Sequence, residues 1–384
     1  MPRPTLAQLL IGGTIIAIAA SLVAIPTVLR EMMRSRAEAL GGRIERAVGK
    51  LEASPRRRPP PPCVGPEPDA WRLPSALRQK LRRYAVPARV SRSLEAALPA
   101  GRTPGRATLA YAANLELDEV AWSAMACGRG EEPPFDYDLE LLFMLRFAER
   151  LTAGSAACLQ GAGEIVHAGH AQAAWADEWG NDSQPYRIGI EPAKWLTAGV
   201  LRCASEAPSD VVASLAHELV TDGGPPPPPR LIGLWRYGQA HSYVTRILRD
   251  LDTYWYFPLT SDPEHFFEEG ERHVAVIELG ARIRADDLPT VVAALNDPAL
   301  GDGQGSIGLG LIKRYLDALV RHRMLALALF AIAGGSFEER LRDPRLADPL
   351  TGQPFDWDGE QLTTPGIRLA DSGGIEPISL HVPR

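Results

Sequence analysis

Lysine is nearly missing from this chain: Lys50, Lys80, Lys194 and Lys313 are its only four, so arginine carries almost all of the positive charge. Acids still outnumber bases, and a net charge of −6 supplies no overall basic field of the kind nucleic acid demands. Cysteine is scarce too. Cys63, Cys127, Cys158 and Cys203 are widely spaced, with no CxxC pair, which excludes a zinc ribbon and a thioredoxin-like motif. An even number in an exported domain admits two disulfides in three connectivities; the plain alternative is four small buried apolar residues. No serine sits in a GxSxG elbow, and none of the cysteines has a recognisable catalytic partner in sequence. Strand-like alternation is almost absent before the last forty or so residues.

What is present begins with Leu6 to Leu29, about 24 residues without a charge. At about 1.5 Å per residue, such a helix spans a hydrocarbon core of roughly 30 Å, so the run reads as a single transmembrane anchor. Ala17-Ile18-Ala19 offers the competing reading of a signal-peptide cleavage site, but the apolar run continues well past it. Arg30, Arg34, Arg36, Arg43 and Arg46 come after the run and Arg3 precedes it, an asymmetry that by the positive-inside rule keeps the bulk of the chain in the cytoplasm. The signal-like start and the even cysteines argue the other way. The expectation is a single-pass protein of the cytoplasmic (inner) membrane with its bulk periplasmic, the cytoplasmic orientation being the alternative.

The expected organisation is an anchor at 6–29, a juxtamembrane helix at 30–52, a proline-rich stalk at 53–70, helical lobes at 71–224 and 225–333, and a C-terminal loop and hairpin segment at 334–384. Consecutive prolines after Arg58 favour the stiff polyproline II conformation, hence a spacer rather than a core. Apolar periodicity predicts helices at Leu73–Tyr84, Ser91–Leu98, Ala107–Ala126, Tyr137–Ala153, Ala156–Glu178, Pro192–Cys203, Ser209–Val220, Leu231–Tyr256, Ser261–Ile283, Leu288–Leu295 and Ile307–Ala333. The run Pro225 to Pro229 either separates two lobes or caps a long surface loop. The fold class is therefore mostly α: an N-terminal transmembrane helix, an irregular helical-hairpin domain and a small C-terminal β-hairpin.

Several motifs invite a functional reading. His217-Glu218 in LAHELVTDG opens like a zinc-protease helix, but the second histidine that would face the metal one turn later is Thr221, which breaks the ligand set. His167 and His170 share a helix face and form the candidate metal pair, with Glu164 and Asp177 nearby and a third ligand unidentified. Gly303 to Gly308 matches GxGxxG, yet a loop precedes it where the dinucleotide fingerprint needs a strand. The aromatic stretch Tyr243 to Phe257 reads as core, and Glu268, Glu269 and Glu271 as a solvated face.

The segment Asp348-Pro349-Leu350-Thr351-Gly352-Gln353-Pro354-Phe355 resembles the closing motif of a group of membrane-anchored helical proteins common in planctomycetes and myxobacteria. The resemblance covers about thirty residues, including entry from the late helix Ile312–Ala333, and is architectural elsewhere. A similar ending occurs in major pseudopilins of type II secretion, but this chain lacks their processing site. It departs from the group at Asp356-Trp357-Asp358-Gly359, where a basic-aromatic pair is usual. Pro349 and Pro354 fix φ on either side of Gly352, and Phe355 and Trp357 alternate with Asp356 and Asp358, so the segment is expected to form a tight turn opening a short β-hairpin whose aromatic face packs on the late helix. The resemblance implies no catalytic residue. These features together predict a membrane-tethered binding or scaffold protein of the bacterial envelope. It would contact lipid through the N-terminal helix, bind a protein partner and no nucleic acid, and need no cofactor. The alternatives are an envelope metal-dependent hydrolase using His167 and His170, and an accessory subunit of a secretion pilus.

Overall fold

The computed structural model describes residues 6–53, 88–114, 136–179, 183–254, 257, 263–284, 287–295, 307–334, 337–368 and 375–383. The stalk beyond Ala53, the helix expected at Leu73–Tyr84, Cys63, Cys127 and the glycine-rich stretch Gly303 to Ser306 lie outside them. The fold is mostly helical with a small antiparallel sheet at its C-terminal end. Contacts group the chain into two units, Met1–Ser54 with Gly233–Ala281, and Pro55–Ile232 with Arg282–Arg384.

The first unit is built on a repeat. In α1 (Leu6–Ala53) the residues Met33, Ala37, Leu40, Ile44, Ala47 and Leu51 are all buried, alternating steps of four and three. That is the 3.5-residue period of a coiled-coil seam. Two further helices, α10 (Pro229–Thr253) and α11 (Pro263–Arg284), meet it with matching seams: Ala240, Val244, Ile247 and Leu251 from one, Phe267, Val274 and Ile277 from the other. Gly270 and Gly233 lie under Leu40 and Leu51, where a Cβ would collide with the leucine side chain. Arg36 pairs with Glu264 and Arg43 with Glu271, both across 228 residues of sequence, so α1 and α11 run parallel. Arg30 and Arg34 share Asp252 near the end of α10, and Gly233 near its start meets Leu51, so α1 and α10 run antiparallel. These ion pairs are about half exposed, and pairs of that kind contribute only about 0.2–1 kcal/mol each. Their value is register: a slip of one residue separates every pair at once.

The expected membrane span and juxtamembrane helix therefore form one continuous helix through Pro26. Most side chains between Leu6 and Leu22 fall outside the described residues, and among the described residues no helix is long and apolar enough to cross a membrane.

In the second unit, short helices α2 (Ala88–Ala97) and α3 (Arg106–Asn114) precede α4 (Asp136–Thr152) and the long α5 (Ser155–Trp179). Then come α6 (Ser183–Ile190), α7 (Pro192–Trp195), α8 (Thr197–Glu206) and α9 (Ser209–Asp222). The unit resumes with α12 (Leu288–Leu295), α13 (Ile307–Ile332) and α14 (Phe337–Leu341). Helix α6 was not expected, and the helix expected at Pro192–Cys203 is broken between Trp195 and Thr197. The first departure traces to glycine. Gly169 of α5 and Gly189 of α6 face each other so closely that a Cβ on either would run into the other's carbonyl oxygen. Their backbones approach as helices with side chains at that point cannot.

Cys158 of α5 and Cys203 of α8 are joined by a disulfide that closes 45 residues of sequence, a constraint on the unfolded chain worth about 4 kcal/mol in the chain-entropy account. Asp177 caps a different helix from its own: its Oδ1 accepts from the backbone N–H of Arg230 and of Leu231, each at 2.9 Å, where α10 opens on Pro229. The proline run before it is not a long surface loop. Pro225, Pro227, Pro228 and Pro229 are buried, and the Tyr186 hydroxyl donates to the Pro226 carbonyl at 2.7 Å.

The expected tight turn at Asp348 is present, and its nucleus is Asp348 itself. This buried carboxylate accepts from the Leu350 N–H at 2.9 Å and from the hydroxyls of Thr351 at 3.1 Å and Thr364 at 2.5 Å. Gly352 takes the left-handed conformation, with φ of 70°. The turn opens a three-stranded antiparallel sheet rather than a two-stranded hairpin: β1 (Asp356–Trp357), β2 (Gln361–Arg368) and β3 (Ile375–His381) in that order. The aromatic pair divides. Phe355 is buried, whereas Trp357 is only half-buried and packs on Phe337 of α14, ring centroids 4.9 Å apart.

Two substitution pairs test this packing by chemical denaturation. Phe355→Ala should cost about 3–5 kcal/mol and Trp357→Ala clearly less, the reverse of what a shared aromatic face requires. Gly169→Ala should destabilise by about 1–3 kcal/mol, whereas Gly49→Ala, with open space around its Cβ position in α1, should stabilise by about 0.5–1 kcal/mol. Equal effects at the two glycines would show that the close approach of α5 and α6 is not maintained.

Candidate functional site

Helix α9 ends with a carboxylate in an unfavourable place. Asp222 is its last residue, at the end where unsatisfied carbonyls concentrate negative partial charge, and the last turn holds no basic residue. Gly223 caps the helix in the left-handed conformation (φ 76°), its N–H donating to the Leu219 carbonyl at 3.1 Å. Gly224 also has positive φ, and a Cβ there would lie 2.6 Å from Leu319 Cδ1 and 3.4 Å from His322 Cδ2. The paired glycines thus let α13 come close enough to place His322 beside Asp222.

Two imidazoles gather at this helix end. His170 of α5 bonds through Nδ1 to Asp222 Oδ2, and its side chain is 9 % exposed against 20 % for the aspartate. His322 of α13 is buried, and its Nε2–H donates to the Leu219 carbonyl at 2.9 Å. A carbonyl only accepts, so this bond fixes the proton on Nε2 and leaves the Nδ1 lone pair of the neutral ring free. The two rings lie 5.3 Å apart, tilted by 48°. One ligand-type atom from each of His170, Asp222 and His322 lies within 4.8 Å of the others, the one such gathering of three among the described residues.

Burial pushes Asp222 upward most strongly, but interactions with His167 and His170 and the nearby His322 outweigh it and hold the carboxyl well below the usual range. Burial, reinforced by His170, drives His322 down to about 4. His167, half exposed on the rim with Nδ1 3.9 Å from Asp222 Oδ1, is raised by that carboxylate. Glu218, one turn before Asp222 on α9, is raised by its burial.

Of the histidine pair expected to bind metal, the structure brings His170 into the cluster and leaves His167 at its edge. The acids expected beside them serve elsewhere. Glu164 pairs with Arg150 at 3.3 Å and Arg146 at 3.8 Å, and Asp177 caps α10. His217 is exposed and stacks edge-on against Phe330, as a broken zinc-protease motif allows. Sequence reasoning missed Asp222 and His322. The signals were an acid at the wrong end of a glycine-terminated helix, and a histidine interrupting an otherwise apolar late helix. A second titratable pair occurs at Glu140 of α4 and Glu191: burial and the Glu191 carboxylate raise Glu140 to about 7, while Arg314 holds Glu191 at 2.7 Å.

The depressed His322 gives a pH prediction in chelator-containing buffer. Its folded pKa lies below the unfolded value near 6.5, so the unfolded chain takes up the proton first and stability falls as pH drops from about 6.5 to about 4. The loss from this residue should be about 3 kcal/mol; His167, shifted oppositely, loses its contribution as pH rises through its folded pKa. Urea unfolding at pH 7 and pH 4.5 should show a smaller difference for His322→Gln than for the parent chain. An unchanged difference would mean that His322 is not buried as a neutral ring.

Compared with protein-family models, with curated proteins and with solved structures, the chain matches none, so the reading of this site rests on its own geometry.

Proposed function

We propose that this chain is a membrane-tethered binding or scaffold protein of the bacterial envelope, held by the N-terminal half of α1 with the bulk of the chain outside the cytoplasmic membrane. The observation that carries the reading is the exposure of large apolar side chains just before the coiled-coil seam. Val23, Ile25, Val28 and Met32 are 70 %, 54 %, 58 % and 58 % exposed, although residues of these types are among those most often buried in a soluble fold. At about 100° per residue Val23 and Ile25 point to nearly opposite sides, so no single docked helix would cover them, whereas lipid would.

Two further features support the orientation. Arg30, Arg34, Arg36 and Arg43, the charges that argue for a cytoplasmic bulk, are each engaged by an acid of α10 or α11 and so have a structural reason to be there. The Cys158–Cys203 disulfide is of the kind that persists in oxidising compartments. No catalytic residue enters this reading.

A reporter that is active only outside the cytoplasmic membrane, fused after Arg384, should be active, and the full chain should stay in the membrane fraction after alkaline carbonate extraction. Removal of residues 1–29 should release it. An inactive reporter alongside an active cytoplasm-only reporter at the same position would overturn the orientation; extraction by carbonate would overturn the anchor.

A further inference from the structure

We infer that His170, Asp222 and His322 form a binding site for a divalent transition-metal ion of the zinc type. The inference goes beyond the tethering reading and does not depend on it. Three helices distant in sequence each contribute one donor, and the donor atoms lie within 4.8 Å of one another; ligands at about 2.0–2.2 Å around a tetrahedral ion stand roughly 3.3–3.6 Å apart, so binding draws the three side chains in by about an ångström. Two imidazole nitrogens and one carboxylate oxygen suit zinc and its neighbours, and are too few and too nitrogen-rich for calcium or magnesium.

The surroundings have the form that metal ligands need. His322 is oriented by its Nε2–H bond to the Leu219 carbonyl, which leaves Nδ1 as the ring nitrogen with a lone pair for an ion. That same carbonyl accepts from Gly223, so the cap of α9 and the orientation of the ring are fixed together. His167 stands 3.9 Å from the second oxygen of Asp222, as a group holding the carboxylate rather than binding the ion. Asp222 at a helix C-terminus joins the negative end of the helix dipole, and a cation there is favoured by both. The partial exposure of Asp222 and His167 leaves a path for the ion to enter. Three protein donors leave a fourth position for water or a ligand, and no reaction is assigned to it.

The competing arrangement is a metal-free one in which a proton shared by His170 and Asp222 does the same electrostatic work. Titration of the full chain, solubilised in mild detergent and stripped of metal, with Zn²⁺ and with Co²⁺ distinguishes them. One equivalent of Zn²⁺ should bind and raise the melting temperature until that equivalent is reached. Co²⁺ should give the strong visible absorption of a four-coordinate site. Asp222→Asn and His170→Gln should each weaken Zn²⁺ binding by more than about 100-fold, and His167→Gln by no more than about 10-fold, the range for an outer group. The inference is overturned if the parent chain shows no saturable rise in melting temperature with Zn²⁺, a readout that needs no variant to fold. It is also overturned if binding survives in folded Asp222→Asn, which would place the ion on surface histidines, or if His167→Gln abolishes it, which would make His167 a ligand.

Discussion

A carboxylate at the negative end of a helix repels the carbonyls beside it, and in the second unit that repulsion is what the surrounding helices are arranged to offset. Asp222 cannot be left alone at the end of α9, partly out of water, without a positive partner or a hydrogen-bond donor. His170 supplies one from α5, and His322 occupies the adjacent carbonyl from α13. The glycine pair after Asp222 makes room for α13, and the Gly169–Gly189 approach sits next to His170 on α5. Close backbone packing and polar satisfaction therefore meet at one point. Bulk at either glycine position disturbs the polar cluster as well as the packing.

Much of the helical architecture was legible because long amphipathic segments announce themselves. The helices expected at Tyr137–Ala153, Ala156–Glu178, Ser209–Val220 and Ile307–Ala333 match α4, α5, α9 and α13 within a few residues. Helix α6 was not legible, since Gly189 and Pro185 weaken its local preference and its stability comes from the approach to α5. The coiled-coil seam was present in the sequence as Met33, Ala37, Leu40, Ile44, Ala47 and Leu51 but was obscured by the small residues in it. Alanine marks a buried position only once its partners are known. The third strand escaped for a related reason: Ile375–His381 carries a proline and is held by pairing with β2.

The cluster was half legible. His167 and His170 drew attention because their spacing puts them on one face, yet spacing within a helix says nothing about what arrives from elsewhere. Asp222 and His322 lie 52 and 152 positions from His170 in the sequence and share no motif with it. Glu164 and Asp177, chosen by proximity in sequence, are used by Arg150 and by the amides that open α10. A carboxylate near a histidine in sequence is thus a weaker indication than one whose position conflicts with its own helix.

The constant offset of 228 residues between α1 and its parallel partner also sets an order of events during synthesis. The seam of α1 is complete after Leu51, but the residues that cover it are not made until Gly233 and beyond. For the time it takes to translate that interval, at about 5–20 residues per second, a row of apolar side chains bordered by arginines stands without its native cover. Closing a loop of that length costs entropy before any seam contact is made, so the bundle forms late and as a unit. The small residues in that seam, Ala37 and Ala47 among them, keep the exposed strip less adhesive during the wait than a row of leucines would be.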